Sequence, residues 1–333
     1  MKRPVAMIAG TGRGLPAYAM SNADFAGIGI ETSHEWIVER TGIHQRYIAK
    51  NGESVRSMSA EAARQAMQRA GVHAGDIDLI VVGTATPDRL LPSSAVDIQA
   101  ELGASRAAAF DISAACSGFL YGLQVAEGMM AANGYETVLV IGVEKLSSAV
   151  DWTDRTTCIL FGDGAGAAIL KRARQHGPSG RGILSSYMRS DGTLGDLLQR
   201  VGGGAASPFC DAVLADRSFY ISMNGREVFK HAVRSMSDAA SRALDGAKLT
   251  SADIDVMIPH QANIRIIEAT AKHANIPMDK VFVNVDRFGN TSAASVPIAL
   301  DEAIEQGRIK DGTTVLLVAF GAGFTWASMV VRF

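Results

Sequence analysis

The chain has 333 residues, 47% of them hydrophobic and 20% charged, with a formal net charge of −2. That near-balance gives no basis for a nucleic-acid partner, and no apolar run approaches the roughly 20 residues that span a bilayer. Three cysteines, Cys116, Cys158 and Cys210, stand at irregular spacing with no C-x-x-C pair, so no metal site or disulfide framework is expected and a reducing cytoplasm fits best.

Basic residues 2 and 3 precede a short apolar run. The run is too short for a secretory leader and lacks a cleavage site. It breaks into Gly10-Thr-Gly12-Arg-Gly14, read as a first strand entering a turn. A helix pattern over 62–70 leads into an apolar strand over 76–82. A strand over 107–112 then reaches Cys116, a helix runs to about Ala132 with a stop at Asn133-Gly134, and a strand covers 138–142. Gly162-Asp-Gly164-Ala-Gly166 reads as tight turns. Neither glycine cluster carries the full G-x-G-x-x-G fingerprint between strand and helix, so no dinucleotide site is assigned.

From about 171 to 218 the pattern breaks into loop signals, including Lys171-Arg-Ala-Arg174 and Gly202-Gly-Gly. The basic run reads as solvated surface, and the boundary between two halves, 1–175 and 176–333, is placed near residue 175. A helix over 239–247 and a strand over 253–259 follow, ending at His260 in Pro259-His-Gln-Ala-Asn263. After a helix from Ile264 come a strand over 281–285, Asn290 in Gly-Asn-Thr-Ser, a helix to about Gln306 stopped at Gly307, a strand over 315–319, and Phe320-Gly321-Ala322-Gly323-Phe324.

The two halves repeat one another. Ala-Ala at 62 and at 239, and Asp-Ile-Asp at 76 and at 253, share one offset of 177 residues. Short strands apolar on both faces, alternating with helices, indicate α/β layers with mostly parallel sheets in a duplicated domain.

Cys116 stands where a helix begins, where unpaired N–H groups and the positive dipole end favour a thiolate. Its neighbours Ala114, Ala115, Ser117 and Gly118 are small enough to admit a substrate carbonyl. The competing reading is a buried structural thiol. Cys158 and Cys210 lack this context and read as bystanders. His260 and Asn290 follow strands of the same repeat, at the carboxyl ends where open α/β sheets collect ligands. A turn or cap role is the other reading of Asn290. A Cys–His–Asn set suits a papain-like protease, whose local signatures and layout are missing here. It also suits acyl transfer with carbon–carbon bond formation: Cys carries a thioester, and His and Asn donate to a second thioester carbonyl as it becomes an enolate. The glycine turn after 319 offers a further backbone N–H.

Ala-Ala-Cys116-Ser-Gly, Pro-His260-Gln-Ala-Asn and Gly-Asn290-Thr-Ser-Ala-Ala-Ser, with Thr32-Ser-His-Glu-Trp36-Ile-Val-Glu-Arg40, Phe161-Gly-Asp-Gly-Ala-Gly-Ala and the closing Gly323–Phe333 stretch, resemble the β-ketoacyl-ACP synthase III enzymes over nearly the whole chain. The resemblance implies a thiolase-like αβαβα fold of five layers in a homodimer. It implies an acyl-CoA primer that acylates Cys116, and malonyl-ACP that loses CO2 at His260 and Asn290 and condenses to 3-oxoacyl-ACP, with no cofactor beyond these substrates. The oxyanion hole would join the Cys116 N–H to one from the Gly321–Gly323 turn, assigned to Gly323; Ala322 stands where a glycine is common. CoA adenine would stack between Trp36 and Arg155, with Arg40 near the phosphates. Thr32, Gly225, Phe229, Asn263 and Arg265 would line the pantetheine tunnel and its mouth, and Arg226 stands where a smaller polar residue is common. Lys230, Arg265 and Lys272 would meet acidic ACP, although each alone reads as a solvated charge. Leu91, where a large aromatic is common, would cap the partner subunit's acyl pocket and admit a longer or branched primer. The alternatives are a related enzyme of secondary metabolism or quorum signalling, and a non-catalytic partner subunit, which the three retained residue types argue against.

Overall fold

The computed structural model of the chain describes residues 4–173 and 180–333. The boundary expected near residue 175, Arg174 of the basic run, and residues 2 and 3 lie outside the described residues.

One sheet has the spatial order Ala6–Gly14, Asp163–Arg172, Thr137–Lys145, Leu79–Gly83, Ala108–Ile112. Its last three strands are mutually parallel, and the first two are joined by antiparallel pairing. A second sheet has the order Val256–Pro259, Thr314–Gly321, Thr325–Arg332, Gly182–Ser190, with only its first pair parallel. The 177-residue repeat is a repeat of register. Leu79 pairs with Val138 in one sheet, and Val256 with Val315, each 177 residues further on, in the other.

The doubled Asp-Ile-Asp has a physical reason. Asp78 Oδ2 accepts from the N–H groups of Glu136 and Thr137, at 2.8 and 3.1 Å, and so pins the start of the adjacent strand. Asp255 Oδ2 does the same for Thr314 N at 2.8 Å. The earlier aspartates, Asp76 and Asp253, accept from His73 N and Thr250 N and close the turn before each strand.

The helices Gly118–Asn133 and Ser295–Glu305, whose starts are also 177 residues apart, lie between the sheets and touch both. Val55–Ala70 and Ser94–Leu102 cover the outer face of the first sheet; Gly225–Ala247 and Ile264–His273 cover that of the second. The five layers αβαβα follow, with a continuous core between the sheets that includes Phe119, Leu123, Leu300 and Leu317.

Two glycine clusters expected as turns are strands. Ala6–Gly14 runs straight through Gly10, Gly12 and Gly14, because alternate residues of a strand face the same way. All three face the helix Val55–Ala70: a Cβ on Gly12 would stand 2.2 Å from Ala62 O, and one on Gly14 2.0 Å from Met58 O. Gly164 and Gly166 likewise belong to Asp163–Arg172, where a Cβ on Gly166 would stand 2.7 Å from Pro297 Cβ.

The strand expected over 281–285 is absent apart from a single bridge, Val281 to Met257. The Gln261 side chain takes its place. Its Oε1 accepts from Asn284 N and Val285 N, and its Nε2 donates to Phe282 O. The loop expected from 171 to 218 contains the strand Gly182–Ser190. Lys171 and Arg172 are half-buried rather than solvated, donating to Ala70 O and Met130 O near the ends of two helices.

Candidate active site

The strand Ala108–Ile112 passes through a 3-10 turn, Ala115–Ser117, into the helix Gly118–Asn133. Cys116 sits in that turn, directly after Ala115 at φ 44°, a left-handed conformation that costs an alanine energy and is held by its surroundings. The second sheet does the holding. Thr325 Oγ1 donates to Ala114 O at 2.9 Å, and Ser117 Oγ donates to Thr325 O at 3.2 Å. Gly321 lets the two halves meet, since a Cβ there would stand 2.6 Å from Cys116 N.

Cys116, His260 and Asn290 line one cavity of about 310 Å³. Its walls are largely apolar, with Leu146, Leu160, Phe161 and Met236 among them. Gly321 and Ala322 also line it; Gly323, assigned from the sequence to the oxyanion hole, is not among the lining residues.

His260 follows the strand Val256–Pro259 and is 3% exposed. Burial lowers its pKa to about 4, so the imidazole is neutral at neutral pH. Nδ1 lies 2.6 Å from Ser295 Oγ, the first residue of the central helix Ser295–Glu305. With that hydroxyl donating to Nδ1, the proton is on Nε2, which makes the ring a neutral donor toward the cavity.

Asn290 is held by its backbone, with N donating to Leu160 O and O accepting from Gly162 N. Its Oδ1 accepts from Ser292 N at 2.9 Å. The amide therefore has its acceptor occupied and its Nδ2 donor left for the cavity. The residue closes a turn and also lines the cavity.

The Cys116 thiol departs from expectation. Burial pushes it up to about 12, with Ser292 opposing this and the nearby Glu144 charge adding to it. The helix start does not produce a resting thiolate inside apolar walls, because desolvation of the charged form outweighs it.

The sequence reading did not find the groups behind these three. Ser292 and Ser295 lie inside the Asn290 motif, and their spacing from Asn290 was the available signal. Glu144 lies near the end of the strand Thr137–Lys145, on the side where ligands collect. It is 0% exposed and accepts from Thr86 Oγ1 at 2.6 Å, Ala85 N at 3.1 Å and Ser292 Oγ at 3.1 Å. Burial pushes its carboxyl up to about 7 against those bonds.

Of the residues assigned to CoA, Gly225, Phe229 and Asn263 line the cavity. Asn263 is also the N-cap of Ile264–His273, and its Nδ2 donates to Arg40 O. Arg265 donates to Glu39 O, which ties that helix to the helix His34–Thr41. Thr32, Trp36, Arg40 and Arg155 are not among the lining residues. Among the described residues, Thr32 Oγ1 is buried with no hydrogen-bond partner. The Arg40 and Arg155 guanidinium carbons lie 4.4 and 4.7 Å from the Trp36 ring centroid, so Trp36 and Arg155 are already in contact and a base entering between them must part them. Leu91 is 86% exposed, outside this chain's own cavity. Lys230, Arg265 and Lys272 are exposed, and Lys230 pairs with Glu227 at 3.6 Å. Cys158 is buried and Cys210 exposed, and neither lines the cavity.

Comparison with known proteins identifies the family. The family model for 3-Oxoacyl-[acyl-carrier-protein (ACP)] synthase III matches residues 110–192, and that for its C terminal part matches 244–333. Beta-ketoacyl-[acyl-carrier-protein] synthase III of Roseiflexus castenholzii is 49% identical over 327 residues, and that of Brucella melitensis 50%, with 98% of each chain covered in both cases. Among solved structures, 3-oxoacyl-[acyl-carrier-protein] synthase III from Aquifex aeolicus superposes with a TM-score of 0.90 at 45% identity, covering 98% of this chain and 100% of the other. The priming beta-ketosynthase from the R1128 polyketide biosynthetic pathway gives 0.90 at 35%, covering 100% and 97%. Identity near one half over nearly the full length, together with the five-layer fold, settles the affiliation: the chain belongs to the β-ketoacyl-[acyl-carrier-protein] synthase III family of acyl-transferring condensing enzymes.

Proposed function

We propose that the chain opens fatty-acid synthesis by condensing an acyl-CoA primer with malonyl-ACP, using Cys116, His260 and Asn290. The observation that carries this reading is a thiol and two fixed, neutral N–H donors on the wall of one apolar cavity. In the first half-reaction the sulfur attacks the primer carbonyl and CoA leaves. The oxyanion is received by the Cys116 N–H and an N–H of the turn 321–323. In the second, the malonyl carbon–carbon bond breaks and CO2 departs. The electron pair moves onto the thioester oxygen, where His260 Nε2–H and Asn290 Nδ2–H receive it. Neutral donors suit this step because the charge exists only as the bond breaks, and an apolar wall strengthens their pull. The enolate carbon then attacks the acyl-cysteine carbonyl, and Cys116 leaves as a thiolate that takes up a proton.

The surrounding assignments belong to the same reading. Residues 1–175 supply the sulfur, and 176–333 the imidazole and the amide. Trp36, Arg155, Arg40 and Thr32 take the nucleotide end of CoA, and Gly225, Phe229, Asn263 and Arg265 its pantetheine arm. Lys230, Arg265 and Lys272 meet ACP. The chain works as a homodimer in the cytoplasm, with Leu91 reaching the partner subunit's acyl pocket. Among the described residues, no helix is long and apolar enough to cross a membrane.

Exposure to a mixed acyl-CoA pool, followed by mass spectrometry of the Cys116 peptide, identifies the primer. Addition of malonyl-ACP then discharges the acyl-enzyme with release of CO2 and 3-oxoacyl-ACP. If the acyl group survives malonyl-ACP yet is removed by an alcohol or amine, the enzyme is an acyl-transfer relative of secondary metabolism instead.

A further inference from the structure

Glu144 lies at the inner end of the strand Thr137–Lys145, and the chemistry above leaves it unused. Every group that acts on it strongly is a neutral donor: Thr86, Ala85, Ser292 and Thr84. Lys145, next in sequence, turns away, with Nζ donating to Glu53 O at 2.9 Å. His260 is engaged with Ser295. The other titratable group of this cluster is the Cys116 thiol, whose own surroundings include both Ser292 and Glu144. Among the described residues no cation pairs with Glu144, and a carboxylate buried against hydroxyls in this way keeps a strong affinity for a proton.

Ser292 links the two. Its Oγ donates to Glu144 Oε1 at 3.1 Å, and it lines the cavity with Cys116, the turn Ser292–Ala294 packing against the turn Ala115–Ser117. Its backbone sits at φ 49°, a left-handed conformation that costs a serine energy. Asn290 Oδ1 holds it there by accepting its N–H. The arrangement offers a short proton route, thiol to hydroxyl to carboxylate, in which each group stands on a different element.

We propose that Glu144, acting through Ser292, is the proton acceptor for Cys116 when the primer is loaded. The Cys116 S–H proton passes to Ser292 Oγ as the serine's own proton passes to Glu144 Oε1. The sulfur attacks the primer carbonyl, a carbon–sulfur bond forms, and the bond to the CoA sulfur breaks. The proton returns from Glu144 through Ser292 to the departing CoA thiolate, so that a thiol enters and a thiol leaves. Glu144 is a positioning residue in this scheme, since Ser292 stands between it and the reacting sulfur. The inference rests on Cys116 being the loading residue, as proposed above. A wire suits a nucleophile that rests as a thiol, with its pKa raised to about 12, beside a carboxyl raised to about 7.

The test compares the full-length wild-type protein with Glu144→Gln and Ser292→Ala. It measures single-turnover acylation of Cys116 by a CoA thioester and alkylation by iodoacetamide, from acid to alkaline pH, with melting curves as a check on folding. The wire predicts that both variants acylate about 100-fold more slowly near neutral pH. It also predicts that they lose an inflection near pH 7 that the wild type shows. A merely structural Glu144 predicts the opposite sign. Removal of a neighbouring negative charge eases thiol ionisation, so Glu144→Gln would alkylate and acylate as fast as wild type or faster, and that result overturns the proposal. If Glu144→Gln fails to fold, Ser292→Ala decides alone, because it deletes only the hydroxyl and keeps the N–H bound by Asn290. A wild-type protein that alkylates at Cys116 yet accepts no acyl group from any CoA thioester overturns the condensing-enzyme reading and the wire together. Normal wild-type loading with unaffected variants overturns the wire alone.

Discussion

In the proposed condensation, His260 and Asn290 suit their role because half of each polar group is already occupied. Ser295 holds Nδ1, and Ser292 N holds Oδ1. Truncating either side chain to alanine should lower condensation by about 100- to 1,000-fold while Cys116 still loads. Ser295→Ala should lower condensation by a smaller factor, about 10-fold, by freeing the ring to turn. Separate assays of acyl-enzyme formation and 3-oxoacyl-ACP release read the two half-reactions; a parallel loss of both would remove His260 and Asn290 from the second. The same burial sets a pH dependence of stability. The folded His260 takes up a proton only near pH 4, against an ordinary value of 6.5. The unfolded chain therefore binds the proton first as pH falls. Stability is complete above about pH 6.5 and drains away toward pH 4, by about 3 kcal/mol over the whole shift. Urea unfolding of His260→Gln should be flatter across that window than that of the wild type. The positions of Cys116 and His260 were legible in the sequence, because each follows a strand of a visible repeat; Asn290 was found by its place in that repeat although the strand expected before it does not form. The protonation state of Cys116 was not legible. A helix start is a local feature, whereas the apolar walls that raise the thiol come from residues such as Leu160 and Met236, far from it in the chain.

At the scale of elements, the repeat was legible because it is written in residues with a mechanical task. Ala62, Ala63 and Ala66, and again Ala239, Ala240 and Ala243, are fully buried where an outer helix lies on a sheet. Asp78 and Asp255 start the strand beside each copy. The continuation of the first strand through Gly10, Gly12 and Gly14 was illegible because a glycine that admits a helix and one that makes a turn look alike until the helix is placed. Likewise, nothing local marks 281–285 as non-strand, since the competing hydrogen bonds come from Gln261. The glycine argument is testable. Gly12→Ala puts a methyl 2.2 Å from Ala62 O, where backbone must move, and should cost about 1–3 kcal/mol. Gly128→Ala has open space at its Cβ on an exposed turn of a helix and should gain up to about 1 kcal/mol. Denaturant midpoints shifting in opposite directions bear this out; equal shifts would mean that the strand does not depend on that close approach.

At the scale of the molecule, the informative feature is the loop carrying Leu90 and Leu91, 84% and 86% exposed. It is not slack chain. Asp88 accepts from Val55 N and Arg56 N, both at 2.9 Å, and Arg89 pairs with Asp97 at 2.5 Å. Two adjacent leucines held out into water by ion pairs and caps form an apolar surface that a partner can cover. In the proposed homodimer that partner is the second copy, and the residue at position 91 closes the end of its acyl pocket. A leucine there has a flexible branched end, whereas a phenylalanine would present a rigid ring across the same space. Pocket closure of this kind discriminates by chain length, with each excluded methylene worth roughly 10- to 200-fold. Leu91→Phe should therefore leave acetyl-CoA loading of Cys116 near its original rate and depress octanoyl-CoA loading by at least about 10-fold. The decisive quantity is the ratio of the two rates on the same protein, because a change in folding or in the nucleophile moves both together. An unchanged ratio would mean that Leu91 does not reach an acyl chain.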